Sequence, residues 1–152
     1  MRRMIVLTIT ILMSYGCATG TYKPGPIGEV SFRDRAQSMN DKGVRITAAV
    51  LSQEESKDVF NLDLYKKDIQ PIWLEIKNNN KVWVAFMQVS VDRDYLSPLE
   101  VAYMHHSGLS KSARKEMNLF FYQQGMKTWI PPGEVRSGFV FTHVHEGTKA
   151  FN

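Results

Sequence analysis

Three stretches of this chain are patterned as strands over eight or nine residues, and they limit the fold more than any other feature. Gly43 to Leu51 reads GVRITAAVL, with Val44, Ile46, Ala48 and Val50 on one face of an extended segment. Gln70 to Lys77 turns Ile72, Leu74 and Ile76 one way and Trp73, Glu75 and Lys77 the other. Arg136 to Val144 is apolar on both faces, with Phe139 and Phe141 opposite Val140 and Val144, as in a strand covered from two sides. Such segments must pair with one another and be covered, so the chain has to build a sheet with a core.

The intervening sequence supplies turns and helices. Ser52 with Glu55 three residues on is a capping box, predicting a short helix to about Phe60. Ser97-Pro98-Leu99-Glu100 is a second one, with proline at the favoured first helical position and an end near His105. Lys111 to Gln124 sets Ala113, Met117, Phe120 and Phe121 on a helical stripe, and Gly125 stops it. Asn78-Asn79-Asn80 predicts a turn returning residues 81–91 as a hairpin strand beside 70–77. A short strand at 127–130, a Pro131-Pro132-Gly133-Glu134 turn and a last strand from Lys149 complete the pattern. The expected fold is mainly β: an immunoglobulin-like β-sandwich with short inserted helices over residues 29–152.

The N-terminus follows a different logic. Arg2 and Arg3 precede an uncharged, largely apolar run from Met4 to Met13, then small residues lead to Cys17. That is the order of an export signal, and the run is too short to span a bilayer as a helix. Ser14-Tyr15-Gly16-Cys17 resembles the lipobox of bacterial lipoproteins, with Ser14 and Tyr15 departing from the usual residues. The resemblance implies a signal peptide at 1–16, a diacylglycerol on the Cys17 thiol and cleavage before it. Ala18 rather than Asp follows the cysteine, which resembles the rule for transfer to the outer membrane, facing the periplasm. Residues 17–28 then form the lipidated cysteine and a flexible tether, ATGTYKPGPIG, rich in glycine and proline. A lone cysteine gives no disulfide scaffold, and lipidation gives it a role.

Composition narrows the function by exclusion. The net charge is +4 over 152 residues, and two of the positives are Arg2 and Arg3. Without the leader the balance is near neutral, which does not suit a nucleic-acid binder. There is no Gly-x-Ser-x-Gly, no phosphate loop and no specific Ser-His-Asp set, so the reading is non-enzymatic and without a cofactor. The pattern of Gln70 to Ile76, then Asp94-Tyr95 and Ser97 to Glu100, resembles uncharacterised bacterial lipoproteins and segments that accompany LssY-type C-terminal regions. That likeness spans residues 43–152 and carries no catalytic motif.

The expected function is that of a lipid-anchored envelope protein, held to the membrane by acylated Cys17. Its domain would bind another envelope protein or a cell-wall polymer. The alternative is a metal-dependent periplasmic factor or enzyme. His143 and His145 share one strand face and could begin a metal site, with His105, His106 or Asp94 as third ligand. The bland reading makes them half-exposed strand residues. Asp92-Arg93-Asp94 with Glu100 could hold calcium or act as an acid–base pair, but lacks the glycine and dense oxygen spacing of a calcium loop, and suits a solvated turn. Trp73, Trp83 and Trp129 could line a ligand groove, although sandwich cores and rims use tryptophan more often. Met117, Phe120 and Phe121 most simply pack their helix on the sheet rather than meet a partner.

Overall fold

The computed structural model describes residues 20–144. In chain order the elements are β1 (Gln37–Asp41), β2 (Val44–Val50), α1 (Gln53–Phe60), β3 (Ile69–Asn78), β4 (Val84–Ala85), α2 (Pro98–Met104), α3 (Lys111–Gln124), β5 (Trp129–Ile130) and β6 (Val135–His143). The frame is a four-stranded antiparallel sheet in the order β1-β2-β3-β6. β4 and β5 form a separate two-stranded antiparallel sheet.

The β1–β2 hairpin turns on Lys42 and Gly43, with φ of 44° and 79°. Positive φ at both loop positions is the type I′ geometry, whose twist matches that of the paired strands. β3 lies between β2 and β6 and is buried on both faces. Pro71 is tolerated there because its carbonyl accepts from Leu51 N–H at 3.1 Å, on the side where β2 leaves the sheet. Its missing N–H would point the same way, toward Leu51 O, and that carbonyl accepts from the Tyr65 hydroxyl instead.

Helices cover one face of the sheet. Both capping boxes are formed, at Ser52 with Glu55 and at Ser97 with Glu100. α1 ends at Asn61 in a left-handed cap. Val59 and Phe60 of α1, Val101 and Ala102 of α2, and Ala113, Met117 and Phe121 of α3 pack on Leu51, Trp73, Phe139 and Phe141. Phe60 is the hub, its ring centroid 5.1 to 5.5 Å from those of Phe121, Phe139 and Phe141. Burying one such ring stabilises the fold by roughly 1.5–3 kcal/mol. The opposite face, built of Ile72, Leu74, Ile76 and Val140, packs on Met126 and Ile130.

Several expectations are corrected. The described residues are 31% strand and 34% helix, so the chain is a mixed antiparallel sheet fold rather than mainly β. The physical reason is that the three helical stripes are a covering layer, and α3 alone runs fourteen residues. The hairpin return after Asn80 does not form. β3 already has partners on both edges, so the only strand residues between 81 and 91 are Val84–Ala85, which pair with β5. Of the segment expected as a flexible tether, residues 20–28 are packed. Gly25 N–H donates to Val59 O at 3.0 Å, Asn61 Nδ2 donates to Lys23 O at 3.1 Å, and Tyr22 is buried against Phe120. The leader, Cys17, His145 and the strand expected from Lys149 lie outside the described residues.

After α3 the chain crosses from the helical face to the other side along β6. Met126 N–H donates to Phe139 O at 2.9 Å. The crossing needs glycine at Gly138, where a Cβ would lie 2.6 Å from the Met126 nitrogen. That passage delivers β5 to the face away from the helices.

Candidate functional site

The face away from the helices carries the most exposed aromatic surface near the sheet. Trp83, just before β4, and Trp129 in β5 are each 60% exposed. Trp129 lies opposite Ala85, and Val84 opposite the buried Ile130. Alternation therefore sends Ile130 into the core and Trp129 outward. Val82, Met87 and Val89 flank the pair and are also exposed. By the same alternation Trp83 takes the outward side that Ala85 and Trp129 share, and exposed indoles of this kind are favoured at the centre of binding surfaces.

Asn78 fixes this surface to the sheet. Its backbone N–H donates to Glu134 O at 2.9 Å and its carbonyl accepts from Gly133 N–H at 2.8 Å. Its side-chain Nδ2 donates to Val82 O at 2.8 Å, Ile130 O at 3.1 Å and Pro131 O at 3.2 Å. Its Oδ1 accepts from Asn80 N–H at 3.0 Å. One fully buried amide thus ties together the chain before β4, the end of β5 and the turn before β6. Expected from sequence to be a turn residue, it is instead a positioning residue. The signal available beforehand was an amide directly after an apolar strand, where a buried end would need a versatile donor and acceptor.

The structure separates the three tryptophans. Trp73 is buried on the helical side, 5.7 Å from the Phe32 ring, with the Arg33 guanidinium 5.1 Å over its own ring. Only Trp83 and Trp129 share a surface, so no groove is lined by all three. Met117 and Phe121 are core residues of α3, and Phe120 packs at the edge of that core.

The histidines are spread out. His143, at the end of β6, donates through Nδ1 to Asp68 Oδ2 at 3.2 Å. His105 Nδ1 donates to Val101 O at 2.8 Å, and His106 Nε2 donates to Asn118 Oδ1 at 2.8 Å. Burial, and secondarily the Lys67 charge, hold His105 below the usual imidazole range against the opposing pull of the Val101 bond. Asp92 accepts from Asp94 N–H at 2.9 Å within a turn. Glu100 serves the α2 cap, and its bonds with Ser97 hold its carboxyl below the usual range. Among the described residues no three His, Cys, Asp or Glu side chains cluster as metal ligands, and no helix is long and apolar enough to cross a membrane. Comparison of the chain with protein-family models, curated proteins and solved structures finds no match.

Proposed function

We propose that the chain is a lipid-anchored bacterial envelope protein, acylated at Cys17 and placed at the outer membrane facing the periplasm. On this reading the domain is a binding module for an envelope protein or a cell-wall polymer. The observation that carries it is the pair of outward tryptophans, Trp83 and Trp129, on a small sheet anchored by Asn78. A domain that buries Trp73 and five phenylalanines leaves these two indoles in solvent. Indole faces are suited to sugar rings and to apolar protein patches alike. β4–β5 also supports an immunoglobulin-like sandwich as the finer architecture, as a short second sheet sharing Ile130 with the apolar layer of β3.

The test uses the full chain from its native envelope. Intact mass should place a diacylglyceryl group on a peptide beginning at Cys17. Cross-linking in the envelope and co-sedimentation with purified cell-wall polymer should recover a partner, and Trp83→Ser with Trp129→Ser should abolish recovery. Undiminished recovery in the double variant would overturn the binding face.

A second reading keeps His143 and His145 as a metal pair. It rests on the Asp68 carboxylate bonded to His143 Nδ1, the arrangement that orients a ligating imidazole. A stoichiometric metal in the purified protein, lost in His143→Ala with His145→Ala, would favour it.

A further inference from the structure

We propose that the outward face of α3, at Lys111, Arg114 and Lys115, is the membrane-facing surface of the domain and lies against anionic phospholipid headgroups. The proposal rests on the acylation of Cys17 and adds to it an orientation and a lipid class.

The first observation is where the chain enters the fold. Gly20 is docked beside the start of α3: its N–H donates to Gly108 O at 3.2 Å, and its carbonyl accepts from Ser110 N–H at 3.0 Å. The seat is made for glycine, since a Cβ there would lie 2.5 Å from Gly108 O. Only three peptide steps separate Gly20 from Cys17. Fully extended, they reach roughly 10 Å. An acylated Cys17 therefore holds the Gly108–Ser110 corner within about one Debye length of the headgroups.

The second observation is what surrounds that corner. Leu109, Ser110, Lys111, Ser112, Arg114, Lys115 and Asn118 line a shallow, open depression. Lys111, Arg114, Lys115 and Asn118 stand at helical spacings of three and four, so they share one face. The core face of the same helix is Ala113, Met117 and Phe121. Arg114 Nε donates to Leu109 O at 3.0 Å, which fixes the guanidinium at the corner. Among the described residues, none of these three cations has an ion-pair partner. Farther along α3, Leu119 and Tyr122 are exposed, and Leu119 and tyrosine are suited to the headgroup boundary. The charge is complementary to an anionic leaflet, and the reach of the anchor leaves this face little distance from it. The tryptophan surface, on the opposite side of the sheet, then points away from the bilayer and toward a partner.

The experiment uses the acylated full chain. Acylation removes the only native thiol, so one introduced cysteine can be labelled uniquely. A fluorophore at Ser112→Cys or at Val82→Cys is read in vesicles carrying a headgroup quencher, with phosphatidylcholine alone or with added phosphatidylglycerol. Intact mass is recorded on each sample. The expected result is quenching at Ser112 several-fold stronger than at Val82, growing with phosphatidylglycerol. Each basic residue at an anionic surface contributes about fivefold. Lys111→Gln, Arg114→Gln and Lys115→Gln together should thus lower the preference roughly a hundredfold and erase the difference. Equal quenching at both positions on acylated protein overturns the orientation while leaving the anchor standing. An unmodified Cys17 overturns both, and the mass distinguishes the two failures.

Discussion

The two faces of the central sheet are built differently. The helical face buries Phe32, Phe60, Phe121, Phe139, Phe141 and Trp73 under three helices. The opposite face has an aliphatic layer, a two-stranded sheet of two residues per strand, and two exposed tryptophans. Large rings in mutual contact make one side a rigid base, since each deletion leaves a cavity its neighbours fill poorly. The other side depends on a few directed hydrogen bonds, and its outward side chains contribute little to stability. That division leaves Trp83 and Trp129 outside the aromatic core.

Phe60→Ala should test the base most severely. It removes the hub ring of the aromatic face and should cost about 3–5 kcal/mol in denaturant unfolding. A loss below about 1 kcal/mol would mean the helices are not the main support. Asn78→Ala should cost about 2–3 kcal/mol, because the Ile130 and Val82 carbonyls lose their donor. Hydrogen exchange should rise first in β4 and β5. Uniform loosening of both faces would show that the amide does not serve the small sheet in particular. Ser97→Ala removes the cap acceptor of α2 and should cost about 1 kcal/mol.

A pH titration sharpens the same contrast. His105 belongs to the helical layer, and its folded pKa lies below its unfolded value near ~6.5. Below that pH the unfolded chain takes up the proton first, so the stability His105 supports is full above it and falls as pH drops through it. The thermal midpoint should decline from neutral pH toward pH ~5, less steeply in His105→Phe. Identical slopes would assign the decline to other groups. Trp129→Ala should have the smallest effect, within about 0.5 kcal/mol, as expected of an exposed side chain without a structural role. A larger loss would show the indole to be part of the fold.

The local signals in the sequence read well where they depend only on neighbours. Both capping boxes, the span of α3 and the facing of β2, β3 and β6 follow from spacing of three to four or of two. β1 is not legible in the sequence, because QSMND is exposed throughout and has no apolar face to announce it. α3 ends at Gly125 as its sequence predicts, although the cap is extended, at φ −66°, and not left-handed. The glycine is needed there because a Cβ would come within 2.5 Å of Pro98 Cγ, a contact that spacing does not reveal.

For the candidate surface, the residue types were visible and their grouping was not. Trp73, Trp83 and Trp129 look alike in sequence, yet one is core and two are outward. Alternation gives which side of a strand a residue takes, but not which strand lies beside it or which layer covers it. The sequence by itself determined α1, α2 and α3 with their caps and the alternation of β2, β3 and β6, because each rests on interactions within a few residues. Only the tertiary structure decided that β3 would fill both edges with β2 and β6, that Asn78 would clamp β4–β5, and that Gly20 would dock beside Lys111. These are pairings across tens of residues, fixed by competition for hydrogen-bonding edges and buried volume, and no local pattern records the outcome of that competition.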